Sequence, residues 1–174
     1  LVLLTTFDAG CRRVAHQEVP ITDVMRQAEA LGLPLVGVPL FGHTPYTDRI
    51  SSAFEFISTR CRIGRVCNGD LHLEYVRQWR VDNIGPIAAR YDAALYAPLW
   101  QVPYETLAAD LWASTTPCRV CAVTGDHHGV QVGALFEPAL LTRLDGTSCD
   151  HFGEGGEFHT LAEIWNCAKP IALM

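Results

Sequence analysis

The chain has 174 residues, of which 49% are hydrophobic and 18% charged, with a formal net charge of −6. That size and composition suit one domain, or one domain with a small appendage, and exclude a chain too polar to bury a core. Lys169 is the single lysine and no Lys/Arg run occurs, which argues against broad binding to a nucleic-acid backbone, and no apolar run reaches the roughly 18 residues of a membrane span.

The seven cysteines (Cys11, Cys61, Cys67, Cys118, Cys121, Cys149, Cys167) are odd in number and scattered. They read as reduced thiols of a cytoplasmic protein, not as a disulfide framework. The N-terminus lacks the charged start and cleavage site of a signal peptide. It opens at Leu1, without Met, inside an apolar run. A strand with nothing ahead of it reads as cut, so the natural N-terminus is expected upstream.

Residues 1–7 (LVLLTTF) form a continuous apolar and β-branched run, the pattern of a buried parallel strand. Ile21, Val24, Met25 and Ala28 recur at helical spacing, which predicts an amphipathic helix to about Leu31, with Gly32 at its C′ position. Residues 33–40 (LPLVGVPL) are the next strand. Thr44 and Pro45 read as N-cap and N1 of a second helix, with Tyr46, Ile50, Ala53, Phe54 and Ile57 as its buried stripe. Residues 65–71 give a short strand ending in Gly-Asp, and residues 72–81 a helix with Leu73, Val76 and Trp79 inward. Residues 93–100 (AALYAPLW) make a fourth strand. The order β-α-β-α-β-α-β calls for a parallel sheet with right-handed crossovers.

The texture changes after Trp100. Residues 104–113 read as a short helix, 118–124 (CRVCAVT) as a strand with 130–132 pairing nearby, and 137–144 as another helix. A Gly-rich acidic loop follows, and residues 158–165 close the fold. A boundary near Val102 divides the chain into residues 1–102 and 103–174.

Ligands of open α/β sheets sit beyond the C-terminal strand ends. Thr5, Thr6 and Phe7 fall there, as contacts to a base or ribose or as ordinary strand residues. Asp70 falls there too, either facing a ligand or capping the following helix. On that helix Glu74 and Arg77 sit at i, i+3 and can form a surface ion pair. Arg77 and Arg80 share the same spacing and can present one cationic face to a carboxylate or phosphate. Cys118 and Cys121, with Cys149 and His151, have a spacing open to zinc. In a regular strand, however, positions i and i+3 point to opposite faces, so the cysteines read as small hydrophobes. His127 and His128 sit in a polar loop and read as solvent-exposed.

The 150–160 loop, DHFGEGGEFHT, packs Asp150, Glu154 and Glu157 with His151 and His159 among Gly153, Gly155 and Gly156. Three glycines permit positive φ and close backbone approach. Its carboxylates suit Mg²⁺, an ammonium or amine, or general-base work on a nucleophile. The plainer account is a solvated turn, against which stand the apolar Phe158, Leu161, Ile164 and Trp165 that follow at once.

GEGGEFHT (residues 153–160) resembles the GENGEFHT signature of the diphthine–ammonia ligase family. That family is a branch of the PP-loop ATP pyrophosphatases within the adenine nucleotide alpha hydrolase-like group. NGDLHLEYVRQWR (68–80) resembles its Gly-Asp-then-Arg segment, APLW (97–100) its Pro-Leu-Trp strand end, and RQAEALGLPL (26–35) the helix-to-strand stretch before them. The likeness spans essentially the whole chain, and the octapeptide is its specific part.

The resemblance implies a Rossmann-like (HUP-type) parallel sheet with helices on both faces, lacking its first β-α unit, plus a small C-terminal α+β domain. It implies ATP-dependent amidation, in which a carboxylate is activated as an acyl-adenylate and ammonia displaces AMP, with ATP and Mg²⁺ as cofactors. In diphthamide synthesis the carboxylate belongs to diphthine, a modified histidine of elongation factor 2. Carried over by position, Glu154, Glu157, His159 and Asp70 would be catalytic. Gly153, Gly155, Gly156 and Thr160 would bind substrate, Arg77 and Arg80 would hold the substrate carboxylate or support Asp70, and Thr5, Thr6 and Phe7 would border the adenine. No protein-bound metal site is implied, and neither nucleic acid nor membrane is an expected partner. Gly156 stands where the family usually has Asn, and nothing matches its SGGKDS phosphate loop, whose place lies before residues 1–7. Two other readings remain: a binding module of the same family that does not turn over ATP, and a metal-dependent hydrolase using Asp150, Glu154 and His159.

Overall fold

The opening apolar run, the helix-period stretch and the second apolar run form a strand–helix–strand unit: β1 (Leu3–Asp8), α1 (Ile21–Leu31) and β2 (Leu35–Leu40). The structure is a computed structural model and describes residues 1–125 and 129–168. Gly32 ends α1 with φ 63°, and its N–H donates to the Glu29 carbonyl while that of Leu33 donates to Ala28. Only glycine adopts this left-handed cap without steric cost. β1 is half-buried, not buried as its apolar pattern suggests, because among the described residues its sheet holds only β1 and β2. The helix stripe also needs correction: Ile21 and Ala28 are buried, but Met25 is 54% exposed and borders an open cleft.

Three helices begin directly after a proline. Pro20, Pro45 and Pro103 hold φ between −55° and −59° and ψ near 140°, and none of these starts has a side-chain cap. Proline's missing N–H costs nothing where no helical partner exists. So α2 spans Tyr46–Ser58, one residue later than Thr44 as N-cap would place it, and Ile50, Ala53, Phe54 and Ile57 form its buried face. Tyr46, expected inward, is partly exposed and lies against Trp79.

β3 (Arg65–Cys67) and β4 (Ala94–Tyr96) are shorter than the strands expected over residues 65–71 and 93–100. They pair in parallel, Arg65 with Ala94, Val66 with Leu95 and Cys67 with Tyr96. Between them α3 (Glu74–Asn83) starts two residues later than expected and buries no residue fully. Trp79, assigned inward, is 41% exposed. A second short helix, α4 (Gly85–Ala89), follows and buries Ile87 and Ala88. It carries Pro86 in its first turn, where proline is tolerated.

After α5 (Tyr104–Ala113), β5 (Cys118–Val123) pairs antiparallel with β6 (Phe158–Ala162), and α6 (Pro138–Leu144) lies between them in sequence. Residues 130–132 form no strand. The chain there instead meets β5 through an Arg119–Leu135 bridge and a Val120 N–H bond to Ala134. Cys118, Val120, Phe136, Leu140, Leu144 and Phe158 make the core, with Phe152 packed against it. A 3-10 turn over Ile164–Asn166 follows β6.

The result is a mixed α/β chain with alternating strands and helices and two-stranded sheets, ordered β1–β2, β3–β4 and β5–β6. The single parallel sheet expected through the first four strands is not formed among the described residues. By contacts the chain divides into Val38–Val102 and a second unit that joins Leu1–Gly37 to Pro103–Met174. Among the described residues no helix is long and apolar enough to cross a membrane.

Candidate functional site

A short polar side chain followed by glycines favours local hydrogen bonding over regular structure, and Asp150 organises the acidic loop in this way. Its Oδ1 accepts the N–H of Phe152 at 2.8 Å and of Glu154 at 3.1 Å. The Tyr104 hydroxyl, at the start of α5, donates to the same carboxylate at 3.0 Å. The backbone N–H of Asp150 donates to Glu157 Oε1 at 3.0 Å, which closes the loop on itself. Phe152 fixes the loop to the core: its ring lies 4.4 Å from Tyr104 and 5.3 Å from Phe136, centroid to centroid.

Gly153 answers a rigid steric demand from backbone, and Gly155 lies under the end of a side chain. Gly153 has φ +72°, and a Cβ there would stand 2.3 Å from the Phe158 carbonyl oxygen. A Cβ on Gly155 would stand 2.6 Å from Glu157 Oε1 and 2.8 Å from Oε2. The Glu157 carboxylate therefore lies folded over Gly155. Its Oε2 is buried and has no hydrogen-bond partner among the described residues. Such an oxygen is costly to leave unmet. Gly156 has φ +88° with nothing near its Cβ position, so conformation alone explains it.

The acidic groups act on their neighbours. Burial, and then the charge of Asp150, push the Tyr104 phenol above its ordinary value of 10.0, with Glu154 and Glu157 adding to the shift. Burial, then Glu157 and Asp150, likewise raise the Cys149 thiol. A group whose folded pKa is raised contributes stability that is complete below its unfolded value and lost as pH rises through the folded one. Stability should therefore decline as pH climbs above about 9 through Cys149, and more steeply above about 10 through Tyr104. Tyr104→Phe should weaken that decline in urea titrations compared at pH 9 and pH 11. An unchanged pH slope would show that the phenol plays no part.

His159 stands opposite Ala122 on β6, partly buried, and Thr160 pairs with Val120. Burial lowers the His159 imidazole from 6.5, and nearby His16 lowers it further. Both causes favour its neutral form. His151 does not join this group, since its Nε2 lies 3.3 Å from Asp145.

Asp70, Arg77 and Arg80 come together in the unit spanning Val38–Val102. Asp70, its side chain 9% exposed, accepts Arg80 Nε at 2.7 and 2.9 Å. It does not cap α3, which has no side-chain cap. Arg77 lies with its guanidinium over the Trp100 ring, 4.5 Å from the centroid, instead of pairing with Glu74. Thr5, Thr6 and Phe7 lie on β1. Phe7 borders a cleft of about 480 Å³ with Arg12, Ile21, Met25, Glu29 and Gly37, and the two threonines do not line it.

The four residues considered for zinc take up other places in the fold. Cys118 and Cys149 are buried in the core, Cys121 sits at the β-bulge between Val120 and Ala122, and His151 pairs with Asp145. Among the described residues no three His, Cys, Asp or Glu are grouped to hold a metal. His127 and His128 lie outside the described residues.

Tyr104 and His16 carry no mark in the sequence. Tyr104 lies 46 residues from Asp150, and only the folded chain brings the two together. No protein-family model matches the chain, and no curated protein matches it.

Proposed function

We propose that this chain carries the ammonia-handling part of the active site of an ATP-dependent amide ligase of the diphthine–ammonia ligase type. The observation that carries this reading is the construction of the 150–160 loop. Gly153 and Gly155 sit where a Cβ would strike Phe158 or Glu157, and the loop folds a carboxylate inward, one of its oxygens buried and unmet. A solvated turn has no need of either feature.

In this reading Glu157 Oε2 accepts a proton from the incoming ammonium, which must become ammonia before it can attack an activated carboxylate. His159, its neutral form favoured by burial, then does not repel that cation. Asp150 and Tyr104 hold the loop in shape. ATP supplies the adenylyl group when bound. Phe7, at the edge of the open cleft, would border its base. Mg²⁺ does not fit a protein cage here: Asp150 already accepts an O–H and two N–H groups, and no three-ligand cluster exists among the described residues. No step is therefore assigned to it.

Strand pairing supports the Rossmann-like part of the reading. A doubly wound sheet of order 3-2-1-4-5 pairs its second strand with its third and its fourth with its fifth. Two such neighbouring pairs, β1–β2 and β3–β4, occur in this chain.

The deciding experiment is carboxylate-dependent ATP–pyrophosphate exchange by a protein comprising this chain in its natural reading frame. Exchange that depends on an added carboxylate, followed by amide formation with ammonium, is the expected result. ATP binding without exchange would instead identify a binding module, and a stoichiometric transition metal with hydrolysis would identify a hydrolase.

A further inference from the structure

The ends of β3 and β4 are joined by backbone hydrogen bonds. The Asn68 N–H donates to Tyr96 at 2.9 Å, and the Gln101 N–H donates to Leu71 at 2.7 Å. The loops leaving the C-terminal ends of two parallel strands are thus held side by side, the place where open α/β sheets bind ligands. Two arginines reach this edge from α3, and they are used differently. Arg80 directs its Nε to Asp70, so that carboxylate is neutralised and does not repel an anion. Arg77 is exposed and stacks on Trp100, which Gln101 follows with φ +58°.

An arginine stacked on an aromatic ring keeps its in-plane N–H groups open. Those donors form a fork that matches a planar carboxylate in two parallel bonds. The indole restrains the side chain, so less conformational freedom is lost on binding. We propose that Arg77, held by Trp100, is an oxyanion subsite whose ligand is a carboxylate. Asp70 and Arg80 are then the positioning pair that keeps the edge rigid and electrically neutral. The choice of carboxylate over phosphate rests on the proposed ligase reading; the existence of an anion site at Arg77 does not.

The test uses the whole chain and does not depend on turnover. Tryptophan fluorescence is followed while sodium butyrate or inorganic phosphate is added at constant ionic strength, with sodium chloride as the blank. Saturable quenching by butyrate is expected, at concentrations at least tenfold below any response to phosphate. Trp100→Phe should remove the optical signal and keep binding by calorimetry, because phenylalanine still stacks. Arg77→Gln should weaken butyrate binding at least tenfold, and Arg77→Lys should restore little of it, since the ammonium lacks the fork. Tighter binding of phosphate would overturn the carboxylate assignment. Equal response to chloride, or unchanged affinity in Arg77→Gln, would overturn the subsite. Butyrate binding without pyrophosphate exchange would leave the subsite standing and remove the ligase reading.

Discussion

Gly153→Ala is expected to destabilise the fold by about 3 kcal/mol, combining a left-handed backbone penalty with overpacking. The methyl would sit 2.3 Å from the Phe158 carbonyl oxygen, and that carbonyl belongs to β6. Phe158 is among the most completely buried side chains, so its backbone has little room to retreat. For a chain of this size that energy corresponds to a fall of roughly 6–12 °C in Tm. Gly156→Ala is the control: its φ is +88°, but nothing lies near its Cβ position. It should cost only about 1 kcal/mol. Equal Tm values for the two variants would show that the Gly153 contact relaxes freely, and the loop would then not be the rigid cradle described.

Glu157→Gln should lower amide formation by roughly 10²- to 10⁴-fold, the usual loss when a general base is removed. The substitution keeps the side chain's size and leaves an oxygen for the Asp150 N–H. Stability should therefore change by less than about 1 kcal/mol. What disappears is the capacity of the buried Oε2 to take a proton. Carboxylate-dependent pyrophosphate exchange should persist, since activation precedes the attack of ammonia. Amide formation at the wild-type rate would remove Glu157 from the chemistry. Loss of exchange together with amide would move its role to the activation step.

These two residues show how far the sequence carries. The glycines of GEGGEFHT signal close approach or positive φ, but not which glycine meets which atom. Gly153 faces a strand carbonyl, Gly155 a carboxylate and Gly156 open space, and only the folded loop distinguishes them. Asp70 carries two readings in the sequence, ligand-facing or helix cap. The structure gives its carboxylate to Arg80, because a nearly buried charge requires a partner.

The sequence by itself determined the local elements. Apolar runs and helical spacing locate β1, α1, β2, α2, α5, β5 and α6 to within a few residues, since each depends on neighbours in the chain. Gly32 marks the end of α1 for the same reason. Tertiary structure alone decided what depends on partners distant in sequence. It paired the strands in twos, left Met25 exposed beside a cleft and Trp79 exposed against Tyr46, and grouped the first 37 residues with the C-terminal segment. It also brought the Tyr104 hydroxyl across 46 residues to Asp150. Periodicity records which side of an element is apolar, but not what will cover it.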